Sequence, residues 1–311
     1  MSKSINLKSY AKLNLYLEIT DKREDGYHLL KSVMQSISLH DTLKFELTDG
    51  NGIEIICTKD GVPKDEKNLI WKAIEAFYNK TGCEKSKIVC NLEKNIPSMA
   101  GMAGGSSNAA AALIAMNELY YRPLSNFDLC EFGAKIGADV PFCINGGTVL
   151  CEGVGDKLTV VNHIPNCYFL VVKPDVSIST PEAYKKFDDM QIKDKPNFSC
   201  FAQGIEYNDV ELISSSIYNS LEIACDLKEV NEIKSKMCEL GALNSMMTGS
   251  GSAVFGIFES KALAEKAAKS FEDYTFSGVY EPIDKGVEII SNDFWKWHFR
   301  KLHTLSKRMW C

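Results

Sequence analysis

The chain has 311 residues, of which 45% are hydrophobic and 24% charged, with a formal net charge of −6. That length gives one large or two medium domains with a real core, and the composition excludes a disordered or low-complexity protein. The acidic excess argues against nucleic acid as a partner, yet it leaves room for an anionic small molecule at a local positive site.

The 11 cysteines are scattered, with no C-x-x-C pair and no Cys/His cluster at zinc spacing. Free thiols in a reducing cytoplasm are therefore expected, with no structural metal and no disulfide framework. No apolar stretch is long enough to span a bilayer and the start carries no apolar signal region, so no stable membrane association is expected.

In chain order, residues 11–19 alternate, with Leu13, Leu15, Leu17 and Ile19 opposite Lys12, Asn14, Tyr16 and Glu18. This is the pattern of a half-buried strand with one polar face, and a solvated edge strand accounts for Lys12 and Asn14 from the pattern alone. Asp25-Gly26 is turn chemistry and puts Tyr27 and His28 just past the turn. Residues 32–40 and 41–47 read as strands, and Asp49–Gly52 predicts a hairpin into residues 53–57. Residues 68–78 carry helical spacing that ends near Gly82, and 88–92 is a short strand.

The stretch NIPSMAGMAGGSSNAAAAL (95–113) follows, and it carries the strongest chemical signal in the chain. Gly101, Ala103, Gly104 and Gly105 let backbone approach a ligand and allow the turns that aim successive N–H groups together. Alanines 109–112 predict a helix starting near Ser106, with serine as its N-cap. A loop of amides feeding a helix N-terminus is an anion site, so a phosphate-binding loop is expected. It matches neither a Walker A motif nor G-x-G-x-x-G, and a tight turn before a closely packed helix is the plainer reading of the loop alone.

Ser125 predicts a capped helix over 126–136, then Gly137–Cys143 leads into strands at 148–152 and 157–161. Pro165-Asn166 marks a boundary, with a strand at 168–172 and a helix start at 177–187, where Thr180 precedes Pro181. Residues 206–240 are mostly helical by pattern, and 246–258 read as strand, glycine turn, strand. A helix at 261–271 and a last strand within 278–290 complete an alternation that suggests an α+β second half with helices on one sheet face. The tail from 291 to 311 is basic and tryptophan-rich with helical spacing, readable as a membrane-surface helix or as a segment docked on the domain.

Lys12 and Asn14, the P-x-x-x-G-x-A-G-G-S-S loop from Pro97, and Thr248-Gly249-Ser250-Gly251 occur in an order that resembles the galactokinase, homoserine kinase, mevalonate kinase and phosphomevalonate kinase (GHMP) superfamily. Within it, AKLNLYL, DGYH, IPSMAGMAGGSSNAA, GADVPF and MTGSGSAVF are similar to the kinases of 4-diphosphocytidyl-2-C-methyl-D-erythritol in the non-mevalonate isoprenoid route. The resemblance implies an α+β fold of two domains, a ribosomal S5 domain 2-like N-terminal domain (1–164) and a ferredoxin-like C-terminal domain (165–290), with the active site in the cleft; the basic amphipathic tail (291–311) has no counterpart in it.

It also implies ATP-dependent phosphorylation of the 2-hydroxyl of that cytidine diphosphate-linked methylerythritol, a transferase of the cytoplasm. Asp139 then matches the catalytic base and Lys12 the catalytic lysine. Asn14, Tyr27, His28, Thr180 and Tyr184 match substrate positions, with Tyr27 and His28 as the cytidine-recognising pair. Tyr184 either stacks on the base or packs on its helix against Phe187.

ATP would lie against Asn68, Lys94, Pro97, Gly101, Met102, Ala103, Gly104, Gly105, Ser106 and Ser107, closed by Gly249, Ser250 and Gly251. No acidic magnesium ligand follows the loop, and Asn108 stands where many relatives carry Asp, so Mg2+ would ride on the phosphates with water and Ser106 or Ser107. A homoserine or mevalonate type of GHMP kinase, a decarboxylase relative and a non-catalytic nucleotide-binding relative are the alternatives.

Overall fold

The computed structural model describes residues 3–190 and 196–292. β1 (Lys3–Lys22) and β2 (His28–Thr48) form a long antiparallel pair joined by the turn at Asp25-Gly26. The alternating run is thus the middle of a 20-residue strand. β3 (Gly52–Cys57) leads through α1 (Leu69–Thr81) to β4 (Lys87–Glu93), which pairs with β3 in parallel and with β2 in antiparallel. The expected hairpin between β2 and β3 therefore does not form. β4 takes the edge of β2, and a helical crossover is what a parallel β3–β4 pair requires.

α2 (Gly104–Leu119), α3 (Asn126–Gly133) and α4 (Val140–Asn145) follow and cover the sheet with α1. Capping sets several ends. Asn68 accepts from Ile70 N at the start of α1, Gly82 closes it in the left-handed region, and Ser125 with Asp128 forms a capping box on α3. α2 departs from expectation, since it begins at Gly104 with Ala103 at the N-cap and no side-chain cap. The serines fall inside the first turn, where Ser107 Oγ instead donates to Tyr10 O at 2.8 Å.

β5 (Thr148–Gly153) pairs with β2 and β6 (Lys157–Val160) pairs with β5. The chain then enters a second lobe with β7 (Tyr168–Lys173), α5 (Thr180–Asp189), α6 (Phe198–Tyr207) and α7 (Val210–Ser215). Ser179, rather than Thr180, is the N-cap of α5, with Pro181 in its first turn. β8 (Tyr218–Asn219) crosses back to pair with β1. α8 (Ser220–Cys225), α9 (Lys228–Glu239), β9 (Asn244–Met247), β10 (Val254–Phe258), α10 (Lys261–Ala268) and β11 (Phe276–Tyr280) complete the lobe. Its four-stranded sheet runs β11-β7-β10-β9. The last strand, β12 (Val287–Asn292), leaves it and pairs with β1 in the first sheet.

Three apolar clusters follow from this path. The first packs α1, α2 and α4 on the sheet around Phe45, Phe77 and Phe142. A second joins the lobes, with Leu13, Leu15 and Tyr16 of β1 against Phe169 and Phe255 of the second sheet and Phe201 of α6. The third lies on the other face of that sheet, where Val172 and Val254 meet α9 and α10. Helices thus cover one face of the second sheet as expected, while the first lobe and α6 cover the other. Opposite β2, β1 pairs with β12 over Ile5–Ser9 and with β8 at Tyr16 and Leu17, and between these Lys12 N donates to Met102 O and Asn14 N to Thr248 Oγ1, so Lys12 and Asn14 are buried with 4% and 2% exposure. The basic helix expected in the tail lies outside the described residues, apart from Ser291 and Asn292 at the end of β12.

Candidate active site

A cavity of about 1310 Å³ opens between the lobes, lined by β1, the loop before α2, the start of α4, α5 and the glycine turn between β9 and β10. Every site residue expected from the sequence lines it except Ser107, which is wholly buried beneath the loop.

At its floor, Lys12 Nζ donates to Asn14 Oδ1 and stands 3.9 Å from Asp139 Oδ2. Asn14 is held from three directions. Its N donates to Thr248 Oγ1 at 2.9 Å, its Nδ2 donates to Ser32 Oγ at 2.8 Å, and its Oδ1 takes the lysine. Ser32 in turn donates to Tyr16 O at 2.7 Å. Asp139 occupies the N-cap position of α4 but makes no side-chain cap bond, so its carboxylate is free toward the cavity and 31% exposed. A partly exposed carboxylate beside a buried cation can receive a proton at one oxygen while the cation offsets charge nearby.

The loop above this floor is shaped by left-handed residues, with φ of 52° at Met99, 72° at Gly101 and 57° at Ala103. A non-glycine residue in that region is strained, and such strain gathers where backbone is aimed at a ligand. Gly101 is required sterically, since a Cβ there would lie 2.0 Å from Thr248 O in the opposite lobe. The N–H groups of Gly104, Gly105 and Ser106 open the first turn of a 16-residue helix, the position where backbone donors and the helix dipole both favour an anion. Gly249–Gly251 closes from the other side, and Asn219 Nδ2 holds that turn through Met247 O at 2.8 Å and Gly249 O at 2.9 Å.

The rim differs in kind. Tyr27 is 66% exposed. His28 sits against Tyr184, ring centroids 4.8 Å apart at 30°, and edge-on to Phe187. Tyr184 thus packs on a ring of the pocket and faces the cavity as well. Burial, and secondarily the charge of Asp139, push the Tyr184 phenol up to about 12. His28 Nε2 lies 2.7 Å from Asp188 Oδ1, and Lys22 Nζ lies 2.5 Å from Asp188 Oδ2. Hydrogen bonds from Lys22 and then His28 hold the Asp188 carboxyl below its usual range. Thr180 Oγ1 and Ser250 Oγ are 3.0 Å apart and tie α5 to the glycine turn.

Other expected residues line the cavity while serving the fold. Asn68 caps α1 and donates from Nδ2 to Pro63 O at 2.6 Å. Lys94 is drawn inward, donating to Asp41 Oδ2 at 2.6 Å and Ile96 O at 2.7 Å, and burial lowers its pKa despite the Asp41 charge. Sequence reasoning did not find Lys22, Asp188, Ser32 or Asn219, whose contacts at the site reach partners 16 or more residues away and leave no local pattern. Among the described residues, no group of three or more His, Cys, Asp or Glu side chains is placed to hold a metal ion, and ten cysteines are free thiols.

Residues 68–147 match the GHMP kinases N terminal domain and residues 201–275 the GHMP kinases C terminal domain. The chain is 44% identical over 276 residues to the 4-diphosphocytidyl-2-C-methyl-D-erythritol kinase of Clostridium novyi (strain NT), covering 88% of this chain and 97% of that one. It superposes on a crystal structure of 4-(cytidine 5'-diphospho)-2C-methyl-D-erythritol kinase with a TM-score of 0.76 at 28% identity, over 89% of this chain and 99% of the other. A homoserine kinase from Cytophaga hutchinsonii shares the fold, with a TM-score of 0.72 at 22% identity over 92% and 97% of the two chains. No helix among the described residues is long and apolar enough to cross a membrane.

Proposed function

The chain belongs to the 4-diphosphocytidyl-2-C-methyl-D-erythritol kinase family of ATP-dependent GHMP kinases, and on that footing we propose that it moves the γ-phosphoryl group of ATP to the 2-hydroxyl of this diphosphocytidyl alcohol, in the non-mevalonate route to isoprenoid precursors. The observation that carries the reading is the Lys12–Asn14–Asp139 cluster at the floor of a two-lobed cavity whose wall is the amide-lined start of α2. Asp139 accepts the hydroxyl proton as the new O–P bond forms and the bond to the β,γ-bridging oxygen breaks, leaving ADP. Lys12 offsets the negative charge gathered on the transferring group, and Asn14 orients the hydroxyl.

The triphosphate lies along Gly101–Ser107 under Gly249–Gly251, with Asn68 and Lys94 beside the nucleoside as wall residues. A magnesium ion fits this site as an ion borne by phosphate oxygens, with the Ser106 hydroxyl as the protein group beside it, because among the described residues no carboxylate cluster is placed to cage it. When bound it would screen phosphate charge. Tyr27 and Tyr184 take the two faces of the cytosine, His28 its edge, and Thr180 the diphosphate side.

The same reading takes the first lobe as ribosomal S5 domain 2-like (1–164) and the second as ferredoxin-like (165–290), with β12 lent back to the first sheet. It also places the protein in the cytoplasm, consistent with free thiols. A homoserine or mevalonate acceptor would leave Tyr27, His28 and Tyr184 without a task.

The test is ATP turnover with four acceptors: 4-diphosphocytidyl-2-C-methyl-D-erythritol, its uridine analogue, homoserine and mevalonate. Transfer to the first is expected, and transfer to homoserine or mevalonate instead would discard the base pocket. Binding of ATP with no transfer to any of them would mark a nucleotide-binding relative.

A further inference from the structure

Asp188 stands outside the catalytic cluster, at the end of α5, and nothing in the proposed reaction calls on it. Its two oxygens are nonetheless both committed, Oδ1 to His28 Nε2 at 2.7 Å and Oδ2 to Lys22 Nζ at 2.5 Å. The His28 side chain is only 10% exposed, packed against Tyr184 and Phe187 of α5, and it lines the cavity. Its Nδ1 has no hydrogen-bond partner among the described residues.

We infer that Asp188 is a positioning residue for base specificity: it holds His28 in the tautomer that carries its proton on Nε2, so that Nδ1 is offered to the pocket as an acceptor. Asp188 can do this only if His28 reads the base, the role proposed above. An ionised carboxylate only accepts hydrogen bonds, so the nitrogen facing it must be the donor, and a neutral imidazole then has a lone pair on its other nitrogen. Lys22 keeps the second oxygen engaged, and both hydrogen bonds favour the carboxylate form of Asp188. An acceptor at Nδ1 pairs with the exocyclic amino group of cytosine. It opposes the 4-oxo group of uracil, which is also an acceptor, and leaves two buried lone pairs facing each other.

The partner set makes a sharp prediction for Asp188→Asn. Lys22 can only donate, so it holds the amide oxygen and turns the amide N–H toward His28 Nε2. That nitrogen must then accept, and the proton moves to Nδ1. Nitrogen-15 NMR of the His28 ring in the full chain at mildly alkaline pH reads this directly, with Nε2–H expected for the native protein and Nδ1–H for the variant.

The kinetic readout is kcat/KM for the cytidyl substrate over that for its uridyl analogue. This ratio should fall by about tenfold or more in Asp188→Asn, a loss of the size seen when one directional contact to a substrate is inverted. The kcat for saturating cytidyl substrate and the KM for ATP should change by less than about twofold, because the floor of the site is untouched. Asp188→Glu, which restores an acceptor, should recover much of the ratio.

An unchanged tautomer in Asp188→Asn, or a flipped tautomer with an unchanged ratio, overturns the role of Asp188. His28→Ala separates the two levels. A cytidyl KM unmoved by His28→Ala would overturn the base-reading role itself, whereas a raised KM alongside an indifferent Asp188→Asn would overturn Asp188 alone.

Discussion

The floor and the rim of the cavity are built by opposite means. At the floor, Lys12 and Asn14 come from a strand paired with β2 on one side and tied to Met102 O and Thr248 on the other, and both side-chain polar atoms and the N–H of Asn14 are engaged. At the rim, Tyr27 projects from a turn with 66% exposure, and His28 is held by one carboxylate and two rings. Burial removes water and fixes geometry where charge must move, since reacting groups gain from electrostatic contacts only when these need no rearrangement. The base recognition proposed for the edge would need entry and exit, and stacking on flat faces tolerates a looser frame. The two regions should therefore fail differently when changed, the floor in turnover and the rim in affinity.

The largest failure is expected for Asp139→Asn. The amide keeps the shape beside Lys12 but cannot accept the hydroxyl proton, so kcat should fall by about 10²–10⁴-fold, the range for loss of a general base. The acceptor KM should stay within about threefold, because no binding contact is removed. A variant whose kcat is unaffected would strip Asp139 of its chemical role and leave the floor as a binding surface only.

Gly101→Ala attacks the seam that joins the floor to the glycine loop. The added carbon would meet Thr248 O at 2.0 Å, and the residue already has φ of 72°. A clash with backbone plus a left-handed alanine should cost roughly 2 kcal/mol or more of stability. Thermal unfolding together with the KM for ATP checks this. Native stability with native ATP affinity would mean that the lobes part easily at this seam, contrary to the tightly tied floor described here.

What could be read from the amino-acid sequence divides along the same line. The glycine loop is legible because its chemistry is local, in small residues followed by helix formers. β1 is legible as a strand through alternation, but its burial is not. That depends on Met102 of the loop and Thr248 of the other lobe, which cover Lys12 and Asn14, on β12, which pairs with Ile5–Ser9, and on a sheet order that lets β4 displace the expected hairpin. Lys12 and Asn14 therefore look like solvated edge residues by pattern and prove to be buried. The start of α2 shifts because its serines serve the turn and Tyr10 O rather than the cap. Asp188 and Asn219 escape altogether, for each matters only through partners that the fold brings from afar.

Tyr27→Ala tests the rim. Stacking of an aromatic ring on a base contributes about 1–3 kcal/mol, so the KM for the cytidyl substrate should rise roughly 5- to 150-fold, with kcat and the KM for ATP little changed. Equal increases for both substrates would show that the turn supports the whole cavity rather than the base alone.

The smallest effect is expected where rim and floor meet. Tyr184 belongs to the rim, yet the charge of Asp139 joins burial in pushing its phenol up to about 12. An unfolded tyrosine titrates near 10, so between about pH 10 and 12 the folded chain retains a proton that the unfolded chain has released. Stability is then fully present below pH 10 and falls as pH rises through that window. Tyr184→Phe removes this contribution and should flatten the fall without abolishing it, because burial also pushes Tyr280 up to about 12. At neutral pH the phenol is uncharged, so the variant should keep its turnover and its pH–rate profile. Urea unfolding at pH 9 and at pH 11 gives the comparison: a smaller loss of stability in Tyr184→Phe than in the native chain is expected, and an identical loss would mean that the phenol is open to solvent and that the rim is looser than its contact with His28 implies.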